Sequence, residues 1–398
     1  MKIKCINNVP APRSLVRVFS DTVKRSAHKL VALLSVAGML TAPIALGQET
    51  QINPADDEKP KEVVTHSPTQ DSEAEFKQPS VDRIQNQPAV LADTQRLASP
   101  KSTADWLARL SEVIETRNFQ VSFVQSRADG DTMPYLWRHA VMPNGIKMEQ
   151  LNLQNGPGRE LIRVGDVVSV FEPDVSPYSL KSEHINGPIP STLLHHPERL
   201  KQGYEFVSVG RARVAGRPAQ QIRIVSRDNN RFSYQLWLDE DTGMLLKLNM
   251  LDLQGGLLEQ IQVTSLQMTE QPNPYFERIN QASLPKPLVL SKRHRREHNW
   301  DVTFLPTGMK EVKQETRRLA QTGQIVEYKM FSDGLVDVSV YVQPAADALG
   351  SDLVLRNDLS TFLTLTDGKA QVTVVGEIPL QTANAIATSL TSKTTETP

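Results

Sequence analysis

Beyond position 5 the 398-residue chain has no cysteine at all. Cys5 sits inside a stretch that reads as a removable leader, so the rest of the chain is expected to have no disulfide, no thiolate nucleophile and no cysteine-based metal site. Long hydrophobic runs are missing as well. The apolar stretch Leu30 to Leu40 is soon broken by Pro43 and falls short of the ~20 apolar residues that a bilayer-spanning helix needs. There is no GxSxG nucleophile elbow, no P-loop and no HExxH pair, so three common routes to catalysis have no residues to run on. A net excess of either charge is missing overall, at a formal −1. That balance hides an asymmetry: residues 1–47 carry seven Lys or Arg and one Asp, and without them the net charge is −7. An acidic remainder argues against non-specific nucleic-acid binding.

What is present at the N-terminus fits export. Basic residues from Lys2 to Lys29 precede the short apolar run, and the small residues Ala45 and Gly47 follow it. That order of charge, apolar segment and small residues is the layout of a signal peptide, expected over 1–47. The basic region is long for a leader, which places the expected translation start nearer Val16 or Val23. Residues 48–101 are polar and proline-spotted, with too few apolar side chains to offset backbone ordering, and read as a disordered tether.

Order is expected from Ser102. Ser102 and Asp105 make a capping box, and Trp106, Leu107, Leu110, Val113 and Ile114 recur at helical spacing before Asn118. The period then drops to two. Phe119, Val121 and Phe123 alternate with polar residues, as do Tyr135, Trp137 and His139. Further extended runs follow, ending with Tyr204–Val209, Ala219–Ser226, Phe232–Leu238, Met244–Met250 and Leu257–Leu266, each bounded by turn residues such as Arg227-Asp228-Asn229-Asn230. Short strands in succession indicate an antiparallel meander over 102–268. Between them, Pro190 to Leu200 reads as one or two helical turns separated at Pro197. Helices laid on a curved meander either enclose an apolar cavity or fill the concavity as core. The cavity reading assigns ligand contact to Phe119, Val121, Phe123, Trp137, Leu193, Leu194, Ile222, Ile224, Leu236 and Leu238; Trp237 leaves the buried face of its own strand ambiguous.

A proline-rich linker, 269–298, ends in the basic run Lys292, Arg293, Arg295 and Arg296. A compact cationic patch on an acidic chain is expected to contact a partner or lipid phosphates. Residues 299–391 read as a small α+β domain, with a hairpin around Ser332-Asp333-Gly334, a strand from Ala370 to Gly376 and a final helix opened by Pro379; 392–398 read as a tail. His294 and His298 are four apart but sit among cations, and the adjacent His195 and His196 cannot chelate as an i, i+4 pair, so no metal site and no cofactor is expected. The arginines 211, 213, 217, 223, 227 and 231 cluster near strand ends and read as a polar sheet face.

Several stretches resemble the RseB/MucB family of periplasmic sigma-E regulatory proteins: Phe171-Glu172-Pro173, Phe206 to Arg211, Ile222 to Asp228 and Arg231 to Tyr234. Leu251-Asp252 with Leu258-Glu259-Gln260, Phe331 to Leu335, and Val375-Gly376-Glu377 with Thr382-Ala383 belong to the same likeness, which runs from about 102 to 391. The resemblance implies a β-rich α+β fold: a large antiparallel half-barrel of the LolA/LppX type with covering helices, joined to a smaller α+β domain. It implies a non-enzymatic periplasmic regulator that binds the periplasmic region of a membrane-spanning anti-sigma factor (RseA/MucA-like) and shields it from proteolysis. Lipopolysaccharide or acylated ligands would release it. No nucleic acid is implied, and self-association is left open. The tether departs from the family pattern. A periplasmic lipid or lipoprotein carrier is the competing reading, disfavoured by the separate module after Asn299.

Overall fold

Ser102 starts the first helix of the described residues. Its hydroxyl accepts the Asp105 N–H at 3.2 Å, and the Asp105 carboxylate accepts the Ser102 N–H at 2.9 Å, so two end donors are satisfied reciprocally. Helix α1 (Thr103–Thr116) buries Leu107, Leu110, Val113 and Ile114, each worth roughly 2 kcal/mol as area removed from water. In this computed structural model the described residues are 100, 102–156, 158–288, 297–318, 324–345, 352–357 and 359–393. The leader 1–47, the tether apart from Pro100, the basic run Lys292, Arg293, Arg295 and Arg296, and the tail from 394 lie outside them.

Six strands follow α1: β1 (Asn118–Arg127), β2 (Thr132–Val141), β3 (Lys147–Leu153), β4 (Glu160–Val164), β5 (Val167–Glu172) and β6 (Val175–Lys181). A covering segment then carries α2 (Ser191–His195) and a 3-10 turn (Pro197–Gln202). Five more strands complete the sheet: β7 (Tyr204–Val214), β8 (Arg217–Ser226), β9 (Ser233–Asp239), β10 (Leu245–Leu251) and β11 (Leu257–Thr269). The order is β6-β5-β4-β3-β2-β1-β11-β10-β9-β8-β7, antiparallel throughout. The long-range β1–β11 pairing, Asn118 opposite Thr269 through Arg127 opposite Glu259, joins two meanders into one half-barrel. Register shifts at Ser122/Phe123 and Ser208/Gly210 mark bulges, which bend strands.

Alternate residues of the strands face α1, α2 and Leu200 in one core. The opposite face is covered in part by the linker: Phe276 is buried against Ala140 and Met148. Farther on, the Leu288 N–H donates to the Ser179 carbonyl of edge strand β6 at 2.8 Å. The stretch 269–288 is therefore fastened to the sheet. Strand β9 buries Trp237 as well as its neighbours Leu236 and Leu238, which accounts for its ambiguous alternation.

The C-terminal part opens with a short strand, β12 (Trp300–Val302). Six longer strands follow: β13 (Lys310–Arg318), β14 (Ile325–Ser332), β15 (Asp337–Pro344), β16 (Leu353–Asn357), β17 (Ser360–Thr366) and β18 (Ala370–Gly376). They form a second sheet in the order β13-β14-β15-β18-β17-β16, with a core of its own. Helix α3 (Leu380–Thr388), preceded by Pro379, buries Ala383, Ile386 and Ala387. The last strand, β19 (Leu390–Ser392), pairs with β12 and so joins the beginning of this part to its end. The architecture is the β-rich α+β fold expected: a large antiparallel half-barrel with covering helices and a smaller sheet domain.

Candidate functional site

The ten side chains expected to line a cavity converge on the concave face, and all ten are buried within one cluster. Phe119 meets Trp137 edge-on, with centroids 4.9 Å apart, and Phe123 stacks on Tyr135 at 5.1 Å. Leu193 and Leu194 press down from α2. Of the ten, Phe123, Trp137 and Leu194 border a remaining cavity, together with Leu151, Ile185 and Ile189. Its volume is about 20 Å³, room for about one water. In this conformation the covering segment fills the concavity, and an acyl chain enters only if that segment moves.

One end of the concave face is polar. Glu149 accepts the Trp137 indole N–H at 2.7 Å and Arg163 Nε at 2.9 Å, deep enough that both ion-pair partners are about 5% exposed. A buried pair of this kind is costly to desolvate and worse to break. Beside it, His139 Nδ1 contacts the Arg117 carbonyl at 2.7 Å, and burial pushes that imidazole below its ordinary pKa. Glu115, in the last turn of α1, meets His195 of α2 at 2.5 Å and also pairs with Lys147. The His195 contact is the main cause holding Glu115 well below the usual carboxylate range; burial opposes it and Lys147 adds to it. The ring of His184 stacks on His195 at 3.6 Å. In the sequence His195 stands only beside its neighbour His196. Its actual companions come from α1 and from the loop after β6, a convergence no local spacing records.

The second feature is the joint between the two sheets. Arg231, fully buried, donates to Asp333 Oδ2 at 2.7 Å, Asp228 Oδ1 at 3.0 Å and the Gly203 carbonyl at 3.2 Å, and its guanidinium lies 4.7 Å from the Tyr204 ring centroid. The Tyr204 hydroxyl donates to Asp333 Oδ2 at 2.9 Å; burial, then Tyr234 and Asp333, push its pKa far up, so it stays a donor. Burial raises Asp228, but hydrogen bonds from the Thr307 N–H (2.6 Å), Ser226 and Arg231 outweigh it and hold this carboxyl below its usual range. Thr382 adds a hydroxyl bond to the Asn230 carbonyl at 2.8 Å. Thus the β8–β9 turn grips the β14–β15 turn. Gly334, at φ +94°, lies so close to Thr192 of α2 that an added Cβ would stand 2.8 Å from its methyl. Of the six arginines read as a polar face, 211, 213, 223 and 227 are exposed as expected; Arg231 departs from it because two acids and a carbonyl replace its water.

Residues 102–288 match the MucB/RseB N-terminal domain family and residues 294–391 the MucB/RseB C-terminal domain family. Over 295 residues the chain is 34% identical to the sigma-E factor regulatory protein RseB of Salmonella typhimurium, spanning 74% of this chain and 91% of that protein. It is 31% identical over 297 residues to the sigma factor AlgU regulatory protein MucB of Pseudomonas aeruginosa, spanning 72% of this chain and 90% of that one. Among solved structures, the complex of Pseudomonas aeruginosa MucA and MucB superposes with a TM-score of 0.59 at 28% identity, covering 73% of this chain and 98% of the matched chain.

Proposed function

The chain belongs to the MucB/RseB family, and from that premise we propose that it is a non-enzymatic periplasmic negative regulator of a sigma-E-type stress response. It binds the periplasmic region of a membrane-spanning anti-sigma factor, keeps proteases from it, and lets it go on sensing lipopolysaccharide or another acylated ligand. The observation that carries the sensing step is the placement of α2. This one element packs Leu193 and Leu194 into the concave core, ties His195 to α1, and sets Thr192 against Gly334 in the small sheet domain. An acyl chain that enters the half-barrel must displace α2, and α2 abuts the joint that fixes the two sheets.

The physical form of the mechanism is linkage. A lipid that prefers the displaced arrangement weakens a partner that prefers the closed one, and the partner weakens the lipid by the same factor. Lys292, Arg293, Arg295 and Arg296 add electrostatic attraction to the anti-sigma factor or to lipid phosphates. A pull-down from detergent-solubilised membranes of the source organism tests the reading. The anti-sigma factor should be retained and should be eluted by lipopolysaccharide; retention of lipid alone would favour a carrier instead.

A further inference from the structure

Glu115, His184 and His195 come from α1, the loop after β6 and α2, and each presents one ligand atom; the three atoms lie within 4.8 Å of one another. His195 Nδ1 is 2.5 Å from Glu115 Oε1, and His184 Nδ1 is 4.0 Å from the same oxygen. The His184 nitrogen is buried and has no hydrogen-bond partner, and 4.0 Å is too far for one to Glu115. Two nitrogen atoms and a carboxylate oxygen thus lie close together with one of them unsatisfied, on rings that are stacked in this conformation.

We propose that these three side chains form a binding site for a divalent transition-metal cation of the zinc class, which clamps the covering segment to α1. This reverses the expectation of no metal site, which rested on pairs of histidines close in sequence. Two imidazoles and one carboxylate are a zinc donor set with a fourth position left to water, and imidazole selects such cations over magnesium or calcium. Bond lengths of about 2.1 Å place ligand atoms at a tetrahedral centre about 3.4 Å apart. The two separations from Glu115 Oε1, 2.5 and 4.0 Å, straddle that value, so those two adjust by less than about 1 Å, and binding turns one of the two stacked rings so that both nitrogens aim at the ion. Lys147 holds the other oxygen of Glu115 and leaves Oε1 to the metal, an outer partner that orients a ligand. Lys147 and Arg163 are balanced by Glu115 and Glu149, so the surroundings add no net negative charge to strengthen cation binding. Because His184 and His195 bracket the stretch that carries Ile185 and Ile189 over the cavity, one ion fixes both ends of the cover.

The test uses the untagged mature protein with Zn2+ in calorimetry and Co2+ in absorption spectroscopy. The expected result is one site per chain, a tetrahedral Co2+ band, a Tm rise of about 5 °C at 100-fold excess over Kd, and slower hydrogen exchange across 183–196. The double variant His184→Ala/His195→Ala should lose the site, with binding weakened by at least about 100-fold, while His196→Ala keeps it. The wild-type titration decides the matter even if the double variant folds poorly. A Kd for Zn2+ weaker than about 1 mM, or unchanged binding in the folded double variant, overturns the site. Binding that leaves exchange over 183–196 unaltered overturns the clamp.

Discussion

Removing Arg231 should loosen the joint by an amount the structure allows to be worked out. Its guanidinium makes two charged contacts, to Asp333 and Asp228, and one to the Gly203 carbonyl, with no exposure to water. Breaking a buried pair by deleting one partner costs about 3–5 kcal/mol. Here the lower end applies, because the stranded Asp333 keeps other donors. Its Oδ1 accepts the Leu335 and Val336 N–H groups at 2.9 and 3.0 Å, and Oδ2 retains the Tyr204 hydroxyl. We therefore expect Arg231→Met to cost about 3 kcal/mol. Asp333→Asn preserves the turn bonds but turns an amide toward Arg231, at about 2 kcal/mol. The two residues share one contact, so the double variant should cost less than the sum by at least about 1.5 kcal/mol. Urea unfolding of the four proteins measures this cycle, with tryptophan fluorescence as the signal. Additivity to within about 0.5 kcal/mol would mean that Arg231 and Asp333 do not hold the joint through one another.

Glu377 supplies a pH prediction. Burial, then the charge of Glu259, pushes its carboxyl up to about 7, with Arg127 opposing. The folded-state value exceeds the unfolded one, so its stabilising effect is complete below about pH 4.5 and is lost as pH rises through about 7. Glu377→Gln should raise stability by about 3 kcal/mol at pH 8 and hardly at all at pH 4, measured as Tm. Leu194→Ala should cost about 2–5 kcal/mol while enlarging the cavity, and a fluorescent fatty acid should bind the variant more tightly than the wild type. Leu236→Arg is a poor probe of the same question, since Leu236 lies wholly inside the filled core. Replacing Lys292, Arg293, Arg295 and Arg296 together by Gln should weaken partner binding by roughly 10–100-fold at low salt, a deficit that shrinks as ionic strength rises.

The parts of the fold that are legible in the sequence are those governed by local chemistry. Ser102 with Asp105 announces α1, and period-2 alternation between turn residues announces the meander, because both signals lie within a few residues of the structure they make. Strand β13 escapes such a reading for a physical reason: KEVKQETRR shows no alternation, since it is an edge strand exposed or half-buried along its length. Strands β6 and β16, also at sheet edges, escape it in the same way. The expected apolar residues do gather on one face, yet their pattern does not distinguish an open cavity from a filled one, which depends on where the segment from Ile185 to Leu194 settles. The joint and the Glu115, His184 and His195 group are invisible in the sequence because their partners are far apart along it. Arg231 and Asp333 meet across 102 positions, Glu115 and His195 across 80.

The proposed function requires one protein to hold an anti-sigma factor and to give it up to a lipid. Calorimetric titration of the periplasmic region of the source organism's anti-sigma factor, with and without saturating lipopolysaccharide, measures that exchange. The expected result is binding that lipopolysaccharide weakens by about 5–150-fold, and lipopolysaccharide affinity reduced by the same factor when the partner is bound. Partner binding of equal strength in the presence and absence of lipopolysaccharide would contradict it.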